Sequence, residues 1–110
     1  MITFDTAREI FIQIENSKLD KLRVSLYKSA FHYVEYRFNW NFQTHEDRLE
    51  MIDKERSIAH NAFISNCDIM ARNMGKIGEP SQWRTHLTND RKIIGDFACM
   101  LVALIGIKNR

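Results

Sequence analysis

The residues best suited to chemistry are arginine, histidine and aspartate side chains in the second half of the chain. Arg56 and His60 are four residues apart, so they project from neighbouring positions on one helix face. Asp96 stands alone in the apolar run 93–107, where an unpaired charge would be costly. An arginine paired with this aspartate would hold it ionised, and a histidine beside the pair could serve as acid, base or pH switch.

These residues predict an internal polar network, centred on Asp96 and completed by the helical segment before it. The ligand-binding residues that we predict are Arg56, His60, Asn61, Arg72, Arg91 and Asp96. Two interpretations remain open: the network forms a pocket for a ligand, or it is a satisfied polar layer that fixes how the helices pack. No nucleophile stands out beside His60, so we predict no catalytic residue, and we expect no cofactor.

Acidic residues at three-residue spacing suggest a second kind of site. His32 and Glu35 are three residues apart, as are Glu50 and Asp53, and carboxylates so spaced on facing helices can hold Mg²⁺ or Mn²⁺. The pattern distantly resembles the all-helical nucleoside triphosphate pyrophosphohydrolases, which use two acidic pairs. Here Glu50 and Asp53 match the second pair, and His32 replaces an acid of the first. The resemblance implies, as an alternative, metal-dependent nucleotide hydrolysis at Glu35, Glu50 and Asp53.

Apolar residues at helical spacing predict the elements that would position these side chains. They lie along residues 5–16, 17–40 and 44–74, and again along 93–107. Ser17 and Asp20 form a pattern like a capping box where the first apolar stripe breaks. Residues 5–40 are therefore either two helices or one bent helix. We expect Gly75 to end the third segment as a left-handed cap.

These segments predict an all-α fold in a single domain, residues 1–110: an elongated up-and-down bundle of three long helices or four. One proline and four glycines in 110 residues favour long helices over a β fold with many turns. The run 93–107 is apolar on every side, which predicts a central helix buried by its neighbours. A third helix of about 30 residues would be about 45 Å long. Its projecting end leads us to expect a homodimer.

Composition and charge exclude several classes of protein. A net charge of +2 is too small to indicate nucleic-acid binding. Cys67 and Cys99 lie in no CxxC motif or cysteine–histidine cluster, which predicts two free, buried thiols. The first residues lack the pattern of a secretion signal, and the run 93–107 is shorter than the about 20 residues of a membrane span. We therefore expect a cytoplasmic protein without a membrane segment.

Parts of the carboxyl-terminal half resemble small all-helical proteins, of uncharacterised function, from Gram-positive bacteria and their prophages. The stretches concerned are 56–66, 72–73 and 91–97. The resemblance implies an all-helical fold and a bacterial cytoplasmic setting, and it implies no activity. We predict a non-enzymatic protein-interaction or regulatory module with a possible protein partner. The alternatives are a small-ligand pocket and the metal-dependent nucleotide hydrolase.

Overall fold

Five helices make up the part of the chain that the structure, a computed structural model, describes. It describes residues 1–41 and 46–109, with side chains for 1–38 and 53–109. The helices are α1 (Phe4–Glu15), α2 (Asp20–Asn41), α3 (Glu46–Lys76), α4 (Trp83–Leu87) and α5 (Arg91–Lys108). The predicted all-α bundle is confirmed, and the described residues contain no strand.

The first forty residues form two helices, because α1 ends at Glu15 and α2 begins at Asp20. The backbone N–H groups of Asn16 and Ser17 close α1 on the carbonyls of Ile12 and Ile14. The Arg23 guanidinium then donates to the Ser17 carbonyl at 2.9 Å, which ties the turn to the first turns of α2. These side-chain and cap contacts satisfy the polar backbone groups that a helix break exposes.

The third helix extends past Gly75 and ends at Lys76, so the predicted cap is wrong. The left-handed residue is Gly78, with φ 76°, and the Glu79 N–H donates back to the Met74 carbonyl at 2.9 Å. Glycine is suited to this position because it carries no Cβ to clash. The predicted start at Thr44 lies outside the described residues.

The length of α3 sets the elongated shape of the molecule. Its 31 residues span about 46 Å at the helical rise. The molecule measures 48 × 28 × 26 Å, with a radius of gyration of 14.3 Å. A compact domain of this size has a radius of gyration near 13 Å, so the predicted elongation is confirmed.

The last helix, α5, packs against each of the other four helices, but only on one side. Its buried face comprises Ile94, Gly95, Phe97, Ala98, Leu101, Leu104 and Ile105. Outside this face, Lys92, Cys99 and Ala103 are exposed. The expectation of burial on every side is therefore wrong, because the neighbouring helices cover only the inner side of α5.

The two cysteines differ in environment, and both are free. Cys67 is buried in α3, and burial raises the pKa of its thiol, so it acts as a neutral packing group. Cys99 lies on the outer face of α5 and is exposed, so the prediction of a second buried thiol is wrong. Of the helices within residues 1–41 and 46–109, none has both the length and the apolarity needed to cross a bilayer.

Candidate functional site

Asp96 finds its partner on α2 rather than on α3. Its Oδ1 lies 3.4 Å from Nη2 of Arg37, and the two side chains are 28% and 31% exposed. Asp96 is therefore a partly solvated group at the edge of the α2–α5 contact, not the buried charge that the apolar run suggests. An ion pair this long and this accessible to water contributes about 1 kcal/mol or less.

Gly95 lets α2 approach the backbone of α5 closely, as a glycine beside Asp96 leads one to expect. A Cβ at this position would lie 2.7 Å from Nη1 of Arg37 and 2.9 Å from the hydroxyl of Tyr33. Both distances are shorter than van der Waals contact, so any larger residue would push these side chains outward. The glycine thereby holds the Arg37 and Tyr33 head groups against α5.

Side chains from three helices surround an open cavity of about 210 Å³ next to this contact. We call it the basic pocket; its lining residues are Tyr33 and Arg37 from α2, Arg56 from α3, and Arg91 and Lys92 from α5. These positions fall in three separate stretches of the sequence, which the packing of α2, α3 and α5 brings together. Four of the five side chains are cationic.

Two of these cations have carboxylate partners. Arg37 meets Asp96 as described, and Nη2 of Arg56 lies 2.6 Å from Oδ1 of Asp53, one turn earlier on α3. Asp53 is half exposed, so this ion pair is accessible to solvent. Arg37 also donates from Nη1 to Sγ of Cys99 at 3.6 Å. A guanidinium carries five donors, so a carboxylate and a ligand can share it.

The other two cations, Arg91 and Lys92, supply excess positive charge. Neither forms an ion pair with a carboxylate in the described part of the chain, and Arg91 only approaches the Ser57 hydroxyl, at 3.5 Å. Both stand in the first turn of α5, where the helix dipole disfavours cations. The basic pocket thus combines four cations with two carboxylates and the positive end of a helix.

Tyr33 lies at the centre of the pocket wall and is only 5% exposed. Burial raises the pKa of its hydroxyl, while the nearby Arg37, Arg56 and Arg91 lower it and Cys99 raises it. The net shift is upward, so the hydroxyl keeps its proton at neutral pH. Tyr33 can therefore donate a hydrogen bond into a pocket that otherwise presents cations.

His60 lies beneath the pocket and is 1% exposed. The centre of its ring is 5.1 Å from that of Tyr33, and neither ring nitrogen has a hydrogen-bond partner among the described residues. Burial lowers the pKa of His60, and the charges of Arg91 and Arg56 lower it further. The Arg91 backbone and the Asn61 side chain oppose this shift without reaching hydrogen-bond geometry. The ring is therefore neutral at pH 7.

The remaining predicted residues lie outside the pocket. Asn61 is exposed beside His60 on α3. Arg72 is exposed sixteen residues beyond Arg56, about 24 Å further along the same helix. The structure therefore places Arg56 and Arg91 in the pocket lining, His60 against the lining residue Tyr33, and Asp96 against the lining residue Arg37, and it leaves Arg72 elsewhere.

The acidic residues of the metal-site alternative do not form a cluster where they are described. Glu35 is exposed on α2, Asp53 pairs with Arg56, and the Glu50 side chain lies outside the described residues. Among the side chains of residues 1–38 and 53–109, no three His, Cys, Asp or Glu residues are placed to hold a metal ion. The nucleotide-hydrolase alternative thus stays a prediction of the sequence.

Three pocket residues were not predicted, although two of them leave a signal. Arg37 continues the apolar stripe of α2 four residues after Tyr33, and a charge at the end of such a stripe needs a partner. Lys92 follows Arg91 at a helix start, where cations are unfavourable without an anion. Tyr33 itself is indistinguishable in the sequence from a core aromatic residue.

Comparison of the chain with protein-family models, with curated proteins and with solved structures finds no significant match.

Replacing Gly95 with alanine tests the close approach of α2, and Gly106→Ala on the same helix is the matched control. Alanine in a helix is more stable than glycine by about 0.5–1 kcal/mol. At position 106 a Cβ would meet no described atom within 4 Å, so we expect Gly106→Ala to raise the unfolding free energy by up to about 1 kcal/mol. At position 95 the Cβ must displace Arg37 and Tyr33, so we expect Gly95→Ala to bring no gain in unfolding free energy.

Chemical denaturation of the two variants and the unaltered protein measures the difference. Equal stabilisation by both substitutions would show that the Arg37 and Tyr33 head groups do not lie against Gly95.

Proposed function

We propose that this protein is a non-enzymatic module that binds a small anion in the basic pocket. The observation that carries the proposal is the convergence of four cationic side chains, from three helices, around the protonated hydroxyl of Tyr33. Arg37 pairs with Asp96 and Arg56 with Asp53, while Arg91 and Lys92 form no ion pair with a carboxylate among the described residues. Cations held together in this way repel one another, and a bound anion relieves that repulsion.

The size and chemistry of the pocket indicate the class of anion. Its volume of about 210 Å³ lies below the range of about 300–1,000 Å³ that is usual for drug-sized ligands. It therefore suits a small oxyanion, or the anionic group of a larger molecule whose remainder stays in solvent. Guanidinium groups bind phosphate and carboxylate through two parallel hydrogen bonds, so the three arginines favour a phosphate-like ligand.

Arg37 is the side chain best placed to change partner when an anion binds. Its contact with Asp96 is long, at 3.4 Å, its second contact is a hydrogen bond of 3.6 Å from Nη1 to Sγ of Cys99, and its side chain is 31% exposed. A ligand oxyanion would form a shorter, charge-assisted hydrogen bond with the same group. Exchange of Asp96 for the ligand therefore requires no rearrangement of the helices.

The binding proposal predicts that Arg91→Ala weakens the affinity for sulfate, while Arg72→Ala does not. Both substitutions remove one exposed arginine and the same charge, but only Arg91 lines the pocket. Loss of one partly exposed ion pair costs about 1 kcal/mol, which is about fivefold in the dissociation constant. Isothermal titration calorimetry with sulfate, at constant ionic strength set with chloride, measures the three affinities.

Two outcomes of this titration would overturn the proposal. If sulfate does not bind the unaltered protein more tightly than chloride does, the pocket is not an anion site. If Arg72→Ala loses as much affinity as Arg91→Ala, sulfate responds to the total charge of the protein and not to the arrangement of the pocket.

We also propose that this module has a regulatory role in the cytoplasm. We propose further that it forms a homodimer. Exposed apolar side chains on α2 and α3, among them Val24, Phe31 and Ile58, would support the dimer, since association would remove them from water. Sedimentation equilibrium measures the mass of the particle in solution.

A further inference from the structure

His60 is a buried titratable group one layer below the basic pocket. Its ring packs against the ring of Tyr33, which lines that pocket. Among the described residues, the titratable and charged groups that face it are Tyr33 from α2, Arg56 on its own helix and Arg91 from α5. Both charged groups of this set are cations, so an anion bound between them would favour the protonated form of His60.

The two ring nitrogens of His60 make this site unusual for a protein core. Each is enclosed by protein, and neither has a hydrogen-bond partner among the described residues. A buried polar group left without a partner costs about 1–3 kcal/mol. The chain keeps a titratable side chain where an apolar one would be more stable, directly under a cluster of cations.

The charges in the basic pocket affect the protonation of the His60 ring. When the pocket is empty, the charges of Arg56 and Arg91 oppose protonation of His60, in addition to the effect of burial. A dianion among the pocket cations would cancel much of that opposition and would itself attract a proton to the imidazole. Because His60 is only 1% exposed, its interaction with these charges is screened less than it would be in water.

We propose that a small dianion bound in the basic pocket is bound together with a proton on His60, so that affinity for the anion rises as pH falls. This inference rests on the proposed anion-binding function and adds its regulation. The proton comes from solvent, and no covalent step is involved. By thermodynamic linkage, the factor by which the anion favours protonation equals the factor by which protonation favours the anion.

Nuclear magnetic resonance of the histidine side chains tests the coupling directly. We would titrate the unaltered protein from about pH 5 to 8, a range that covers the ordinary histidine pKa, in sulfate and in chloride at equal ionic strength. Sulfate does not itself titrate in this range. An opposite charge nearby shifts a pKa by about 1–3 units, and by less through an intervening layer. We therefore expect sulfate to raise the His60 pKa by about 0.5–1 unit.

The same spectra contain their controls. His32 and His86 are exposed and do not line the basic pocket, so sulfate should leave their resonances unchanged. The Nε–H resonances of Arg37, Arg56 and Arg91 report whether sulfate occupies the pocket. Sulfate affinity measured at the two ends of the pH range should differ by about three- to tenfold in the unaltered protein, and by less in His60→Leu.

The outcomes separate this inference from the function on which it rests. A rise in the His60 pKa, together with shifts of the arginine resonances, supports the coupling. Arginine shifts without any change at His60 overturn the coupling and leave anion binding intact. If sulfate moves none of the arginine resonances, the anion site and the coupling both fail.

Discussion

Replacing Phe63 with alanine should lower the free energy of unfolding by about 3–5 kcal/mol. Phe63 is fully buried on α3, and its ring lies between Tyr33 of α2 and Phe97 of α5, with ring centres 6.4 and 6.1 Å away. The substitution removes a side chain of α3 that packs against both α2 and α5. Because a domain of this size has a total stability of about 5–15 kcal/mol, we expect the melting temperature to fall by more than about 10 °C.

Phe31→Ala is the matched control for this substitution. Phe31 is 47% exposed on α2, so the same change of side chain should cost well under about 1 kcal/mol. Thermal and chemical unfolding, followed by circular dichroism, compare the two variants. If both variants lose the same free energy of unfolding, Phe63 does not lie between the helices, or a second copy of the chain covers Phe31 in solution.

Replacing His60 with leucine should make the protein more stable, by about 1–2 kcal/mol at neutral pH. Leucine is similar in size, so the packing is kept, and the substitution removes two enclosed nitrogens that lack a partner among the described residues. The lost ring contact with Tyr33 offsets part of the gain. At about 4 °C per kcal/mol for a domain of this length, the melting temperature should rise measurably.

The same substitution should also change how stability depends on pH. The pKa of His60 in the folded protein lies below its ordinary value of 6.5, so the unfolded chain binds the proton more tightly. Stability conferred by the neutral ring is therefore present above pH 6.5 and is lost as pH falls from 6.5 through the folded pKa. We expect His60→Leu to remove this loss.

Denaturant titrations of the unaltered protein, His60→Leu and His86→Leu over a range of pH measure both effects. His86 is exposed, so its replacement removes no enclosed ring nitrogen and should bring no comparable gain in stability. A His60→Leu variant that is less stable than the unaltered protein would show that the ring nitrogens make stabilising interactions. The proposed cost of the buried histidine would then be wrong.

The helices could be predicted because their signals are local. Apolar residues at helical spacing mark the buried faces of α1, α2 and α3. The end of α3 was harder to place, since Gly75 lies inside the helix while Gly78 adopts the left-handed turn. A glycine within a helix looks like a glycine that ends one, and the docking of the following connector decides between them.

Only part of the pocket could be predicted, because its assembly depends on which helices are neighbours. The spacing of Arg56 and His60 predicts that both lie on one face of α3, and in the structure both lie near Arg91. The partner of Asp96 could not be predicted, since an acid on α5 can pair with either adjacent helix. Arg72 could have been excluded from the pocket, because sixteen residues of one predicted helix place it about 24 Å from Arg56.

The measurement that tests the anion pocket most directly is a crystal structure of the protein grown with selenate, a sulfate analogue whose position anomalous scattering identifies. If the basic pocket binds anions, we expect one strong anomalous peak within hydrogen-bonding reach of the Arg37, Arg56 and Arg91 guanidinium groups and of the Tyr33 hydroxyl. Selenate found only at other exposed cations, such as Arg72, with the basic pocket left to water, would contradict it.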